Sequence, residues 1–244
     1  MKTLVQILPS LDQTGGGVER GTLDIAKCAA ENSYKSVIIS SGGDMSQKYK
    51  HKGVLHIDIP LQKKNLYYYY LARKKFRKVL EEIKPDLVHI RSRWPAFCFN
   101  NLVKFKIPLI TTYHGTYSGN NFSLKKRYNG SMVQGDRVIA ISNFISDHVL
   151  KNFPLVKKKL VTISRGIDIH YFDIDSINTI RKENFLRKLS ISDNKHIILL
   201  PGRLTEWKGH FIAIEAAKIL IQKYPDLNFL MLFVGSEQKK KRYR

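Results

Sequence analysis

Three adjacent glycines, Gly15, Gly16 and Gly17, stand between a short apolar run and a segment with apolar residues at helical spacing. Glycines at such a place let the backbone approach a ligand and leave helix N-terminal N–H groups open to an anion. The same triplet also reads as a plain flexible turn. It is not a dinucleotide fingerprint, because GxGxxG is absent, and no GK[ST] follows to make a P-loop. A second cluster is Pro201-Gly202-Arg203-Leu204-Thr205-Glu206-Trp207-Lys208-Gly209. Arg203 and Lys208 fall on a strand-to-helix connection, where two cations and a helix dipole suit a pyrophosphate. The plain alternative is a pair of solvated surface cations. His89, Arg91, Arg93 and His114-Gly115 fall at the ends of expected strands, where side chains of an open α/β sheet point into its crevice. A histidine at a strand end also serves as a structural residue. The other histidines, at 51, 56, 148, 170, 196 and 210, show no metal-ligand spacing such as HExxH, so no metal is expected. There is no GxSxG elbow, and no pair of carboxylates placed like a hydrolase's acid and base.

The hydrophobic pattern supplies the scaffold for these residues. Runs at 3–8, 36–40, 53–59, 86–90, 109–113, 137–141 and 160–164 read as strands, the first of them buried. Helical segments at 18–32, 65–83, 94–105 and 143–152 lie between them, the second ended by Pro85. Strands apolar on both faces are what a parallel sheet covered by helices requires. The β-then-α alternation makes the class α/β, with right-handed crossovers. After a polar helical stretch at 173–189 the pattern restarts: a strand at 196–200, an amphipathic helix at 211–224 stopped by Pro225, and a strand at 228–234 before Gly235. One βαβ unit cannot bury both faces of its sheet, so a large exposed apolar surface is expected there.

Composition narrows the partners. The chain has 244 residues, 43% hydrophobic and 25% charged, which excludes disorder and allows a sizeable core. Its 42 Lys and Arg against 20 Asp and Glu leave a net charge of +22. So basic a chain suits polyanions: nucleic acid, an anionic membrane surface or phosphorylated small molecules. Residues 62–78 combine four tyrosines with seven Lys or Arg. On a helix this face suits a lipid headgroup layer, or single-stranded nucleic acid, or simple packing with solvated lysines. No nucleic-acid recognition motif supports the second of these. Cys28 and Cys98 are isolated, which fits a reducing cytosol. No apolar run approaches the ~18 residues of a membrane span, and the N-terminus does not read as a signal peptide.

Taken in order, several segments are familiar. They are Gly-Gly-Val-Glu-Arg at 16–20, Val88-His89-Ile90-Arg91-Ser92-Arg93, Tyr113-His114-Gly115, Val138-Ile139-Ala140-Ile141-Ser142, Arg165-Gly166-Ile167-Asp168 with Phe172, Gly202-Arg203-Leu204-Thr205 through Trp207-Lys208-Gly209, and Phe233-Val234-Gly235. Together they make the chain resemble glycosyltransferase family 4, retaining enzymes of the GT-B fold. It is most like bacterial members that build lipopolysaccharide and related envelope glycans. The resemblance implies a Rossmann-like acceptor-side domain over residues 1–172, a linker over 173–195 and a partial nucleotide-sugar-binding domain over 196–244. It implies transfer of a hexose-type sugar, with retention, from a UDP-linked donor to a lipid-linked or saccharide acceptor. Arg203 and Lys208, with Gly202, would hold the donor diphosphate and stabilise the departing nucleotide without a metal or other cofactor. Gly16 and Gly17 would offer backbone N–H groups near that diphosphate. His114 would orient the transferred sugar, and Glu19, Arg91 and Arg93 would line the acceptor side. The expected location is the cytoplasm, with peripheral contact on the inner face of the membrane through residues 62–78.

One departure carries weight. The family's E-x7-E pair of glutamates is missing after Lys208: eight positions beyond Glu215 stands Lys223, and a partner for Glu237 would fall past residue 244. Residues 235–244 still read as family sequence, so a truncated or split reading frame is expected, with little transferase activity in this chain alone. The competing expectation is a non-catalytic fragment: one chain of a split enzyme, or a protein that binds an anionic glycan or membrane.

Overall fold

A computed structural model describes residues 1–12, 16–48, 51–104, 106–118, 123–192 and 194–236. Gly15, Phe105 and residues 237–244, all named above, lie outside the described residues. The chain divides into two compact units, Met1–Gly166 and Ile167–Arg244.

In the first unit, strands and helices alternate: β1 (Thr3–Ile7), α1 (Gly17–Glu31), β2 (Lys35–Ser40), α2 (Asp44–Lys48), β3 (Val54–Asp58), α3 (Leu66–Ile83), β4 (Leu87–Ile90), α4 (Arg93–Val103), β5 (Leu109–Tyr113), α5 (Ser123–Gly130), β6 (Arg137–Ala140), α6 (Asn143–Asn152) and β7 (Leu160–Thr162). The seven strands form one parallel sheet in the order β3-β2-β1-β4-β5-β6-β7. This is the doubly wound arrangement expected from the hydrophobic runs. The chain moves outward from β1 to β3 and then returns to the other side of β1 with β4. The sheet's switch point therefore lies between β1 and β4, where such sheets open a crevice beyond their strand ends.

Both faces of the sheet are covered. Along β1, Val5 and Ile7 enter the larger core with Val88, Ile90, Phe76 and Phe99. Leu8 turns to the opposite face and packs with Leu23 and Ala26 of α1 and Ile38 of β2. The period-2 alternation of a strand accounts for that division. Helix α3 begins where the Asn65 side chain accepts a bond from the Tyr68 N–H, 3.0 Å away. It ends at Lys84, in the left-handed region with φ 47°, just before Pro85. Its inward face is Ala72, Phe76 and Val79, and Phe76 stacks on Phe99 of α4 with centroids 4.2 Å apart. Two short helices, α2 and α5, have no counterpart in the hydrophobic pattern. Helix α5 reads SLKKRYNG and carries no apolar stripe for a periodicity to reveal.

The second unit holds α7 (Thr179–Lys188), β8 (His196–Pro201), α8 (His210–Lys223) and β9 (Phe229–Val234), with β8 and β9 paired in parallel. Ile197, Ile198, Leu199, Phe233 and Val234 of this two-stranded sheet are exposed, as expected for a lone βαβ unit. Among the described residues no helix is long and apolar enough to cross a membrane.

Candidate functional site

The crevice of the first sheet is lined by residues that leave the C-terminal ends of β1, β4, β5 and β7. The β4 chain is pinned there by the Arg91 N–H donating to the Ile7 carbonyl, 2.9 Å away. The side chain of Arg91 is 4% exposed. Its Nη1 donates to Gln6 Oε1 at 3.2 Å, and Gln6 in turn donates from Nε2 to the Thr22 carbonyl of α1 at 3.0 Å. A buried, neutral glutamine thus braces the guanidinium against the first helix. Burial, then the charge of Arg165, lowers Arg91 to about 10.

His114 follows β5. Its Nδ1 lies 2.9 Å from Arg165 Nη2. A guanidinium has donors only, so Nδ1 must accept and the ring proton sits on Nε2. That Nε2 is buried and has no hydrogen-bond partner among the described residues. Burial first, then Arg91 and Arg165, push the His114 pKa down to about 3. The ring is therefore a neutral hydrogen-bond donor, suited to holding a hydroxyl rather than to taking a proton. His89, deep in β4, bonds to Thr112 Oγ1 at 2.7 Å and is likewise held neutral by burial, Arg91 and His114.

This ring gives a pH prediction. The folded pKa of His114 lies below the ordinary value near 6.5, so the unfolded chain binds a proton the native state refuses. Stability contributed this way is whole above pH 6.5 and declines as pH falls toward 3. His114→Gln should flatten that acid-side decline in urea melts between pH 6.5 and 4. The imidazole ¹⁵N shifts of His114 should show the Nε2–H tautomer with no titration across pH 5–8. A midpoint near 6.5 would overturn the assignment.

Gly16 is the N-cap of α1, extended with φ −92° and ψ −163°, and it contributes no side-chain cap. Glu19 stands in the first turn. Gly17, Glu19, Arg91 and His114 are thus gathered at one edge of one sheet. Arg93 has different company. It opens α4, its Cζ lies 4.1 Å from the Tyr117 ring centroid and 5.4 Å from that of Tyr128, and Nη1 donates to Asn129 Oδ1 at 2.8 Å. That clamp fixes its guanidinium against aromatic rings. Gln6 and Arg165 join the crevice through the fold, by their bonds to Arg91 and His114. Gln6 shows in the sequence only as a polar break in an apolar strand, and Arg165 only as part of a motif.

In the second unit, β8 ends at Pro201 and the connection to α8 carries Gly202, Arg203 and Lys208. The Gly202 N–H donates to the Val234 carbonyl at 2.8 Å, and the Leu204 N–H to Ser236 O at 3.2 Å. A 3-10 turn over Glu206–Lys208 follows, closed by Gly209 at φ 79°, which also caps α8. Only a residue free of a Cβ takes that left-handed geometry without strain. The Lys208 stem packs over Gly202, and its Nζ sits 4.4 Å from the Trp207 ring centroid. Among the described residues neither Arg203 nor Lys208 pairs with a carboxylate. Nor do any three His, Cys, Asp or Glu among them gather as metal ligands.

Comparison with known proteins points one way. The model of Glycosyltransferase Family 4 matches residues 15–171. An uncharacterized glycosyltransferase of Methanocaldococcus jannaschii is 23% identical over 235 residues, covering 91% of this chain and 59% of its own length. A crystal structure of a glycosyltransferase from Rickettsia africae superposes with a TM-score of 0.79 at 33% identity, over 96% of this chain and 60% of that one. Anabaena HepE in complex with UDP and glucose has the same fold at 18% identity, with a TM-score of 0.73 over 99% of this chain and 63% of that one. The chain thus spans about three fifths of the length of these proteins.

Proposed function

The chain belongs to glycosyltransferase family 4, and from that premise we propose that it binds a nucleotide-sugar donor and takes part in moving the sugar, with retention, to a lipid-linked or saccharide acceptor of the cell envelope. The observation that carries this reading is the β8–α8 connection. It places two cations with no carboxylate partner among the described residues on one short connection leading into a helix N-terminus. Arg203 and Lys208 there would bind the two phosphates and offset the charge that grows on the nucleotide as it leaves. UDP and glucose bound to the Anabaena protein support a UDP-sugar as the donor. In the first unit, the Nε2–H of His114 would hold a sugar hydroxyl, with Glu19 and Arg91 on the acceptor side. Arg93, clamped by Tyr117 and Tyr128, would shape that side more than touch a ligand.

The test is calorimetric titration of the purified chain with UDP, UMP and uridine. UDP is expected to bind at least tenfold more tightly than uridine. Equal affinities would remove the diphosphate from the reading.

A peripheral membrane contact belongs to the same proposal. Tyr67 and Tyr70 on α3 are 69% and 67% exposed, and Tyr69, Tyr70, Arg73, Lys74 and Arg77 line a shallow groove along that helix. An aromatic and basic face of this kind suits an anionic headgroup layer.

A further inference from the structure

Four aromatic rings from three helices meet beside the crevice of the first unit. Tyr69 stands in the first turn of α3, Trp94 and Phe97 in the first two turns of α4, and Tyr128 near the end of α5. Helices α3 and α4 start beyond the ends of β3 and β4, on the side of the sheet that opens the crevice. Phe97 is the hub. Its ring centroid lies 6.0 Å from that of Trp94, with planes 20° apart, 6.0 Å from Tyr69 and 5.6 Å from Tyr128. Tyr69 and Trp94 close the group at 6.4 Å. The core does not account for Phe97. Ala96, Cys98 and Phe99 already fill the inward face of α4, whereas Phe97 is 43% exposed among three half-buried rings. Two guanidiniums flank the group. Arg73 lies over the Tyr69 ring at 5.3 Å and donates from Nη1 to the Cys98 carbonyl. Arg93 lies 5.4 Å from the Tyr128 ring and donates from Nη1 to Asn129 Oδ1. A guanidinium has five N–H donors, so each is fixed in place by one bond with further donors beside the rings.

We propose that Phe97, with Trp94, Tyr69 and Tyr128 around it, is a stacking platform for a sugar ring of a saccharide acceptor. A lipid tail would use the rings and leave the guanidinium donors in apolar company. A pyranose uses both. Its C–H face carries the partial positive charge that the negative face of an aromatic ring attracts, and its hydroxyls accept from the flanking guanidiniums. The proposal rests on the reading above and narrows it. The acceptor is a saccharide whose rings extend out of the crevice over α4, whatever carries its far end.

Cellotetraose and chitotetraose are the probes, because stacking reads the face of a sugar more than its pattern of hydroxyls. Each is titrated into the full chain and followed by saturation-transfer NMR, with thermal melts run in parallel. Saturable binding is expected, with transfer strongest at the C–H protons of one sugar face. Phe97→Ala should weaken it by about fivefold or more, the size of one aromatic contact. Phe97→Leu, which keeps an apolar side chain and loses the ring, should weaken it nearly as much, and Phe97→Tyr should restore it. Phe97 is an exposed side chain, so the melts of all three variants should stay near wild type. Tyr34→Ala is the control. Tyr34 is 44% exposed, just before β2 begins and so at the opposite edge of the sheet, and its loss should leave binding unchanged. No binding of either saccharide, or binding indifferent to Phe97→Ala, overturns the platform. Binding kept by Phe97→Leu would show a plain apolar contact, the kind a lipid tail makes, and overturns it as well. UDP titration of the same samples keeps the donor reading separate, since that reading is decided at Arg203 and Lys208 and no Phe97 variant should change it.

Discussion

Replacing Arg203 and Lys208 together by alanine should weaken UDP binding by a factor of about a hundred or more. Each charged contact to a phosphate contributes about 1.5–3 kcal/mol, and about 1.4 kcal/mol is tenfold in affinity. Either single variant should therefore cost about tenfold or more. The fold should hardly register the change. Arg203 makes no ion pair among the described residues, and Lys208 contributes an exposed contact with Trp207, the kind of surface interaction that contributes little to stability. Titration calorimetry against UDP, with a thermal melt of the same samples, separates the two effects. Unchanged affinity in a folded double variant would remove these residues from the donor site.

Gly235→Ala should disrupt the same connection by a different route. A Cβ at Gly235 would lie 1.8 Å from the Gly202 carbonyl oxygen and 2.6 Å from its carbon. Both atoms belong to the backbone, so no rotamer change relieves the clash. The ends of β8 and β9 must move apart, which strains the Gly202–Val234 and Leu204–Ser236 hydrogen bonds. Overpacking of this kind costs about 1–3 kcal/mol and more against main chain. Gly202→Ala is the control. Its Cβ would meet the Lys208 Cδ at 3.5 Å, ordinary van der Waals contact. Hydrogen exchange should therefore accelerate at the Leu204 amide in Gly235→Ala and stay near wild type in Gly202→Ala, whose added Cβ meets only a side chain. Equal behaviour of the two variants would show that the close approach has no such role.

These glycines mark where sequence reading reached and where it stopped. The central strands β1, β2 and β4 were legible because each is a short run rich in β-branched and aliphatic residues, and a strand buried on both faces tolerates little else. Helix α3 was legible from its apolar spacing and from Pro85. Helix α5 was not, since its residues are mostly polar and its place is set by neighbours in the fold. That Arg203 and Lys208 share a strand-to-helix connection was legible because the strand and the helix on either side of it both show in their apolar residues. Gly235 appeared only as the residue after a strand. That it must approach Gly202 follows from the parallel register of β8 and β9, which pairs Pro201 with Val234.

By itself the sequence determined the α/β class, the order of elements, the family and the cationic turn of the second unit. All of these are written in local periodicity, in turn residues and in motifs a few residues long. The tertiary structure alone decided the company each cation keeps. Arg91 meets Gln6 across 85 residues of chain and Arg165 meets His114 across 51. Those meetings depend on β4 returning beside β1 and on β5, β6 and β7 following outward. Arg91 and Arg93 are two residues apart, yet one is braced in the crevice by a glutamine and the other is held against two tyrosines. The difference arises because β4 ends and α4 begins between them. The chain turns there, and side chains two positions apart leave for different surroundings.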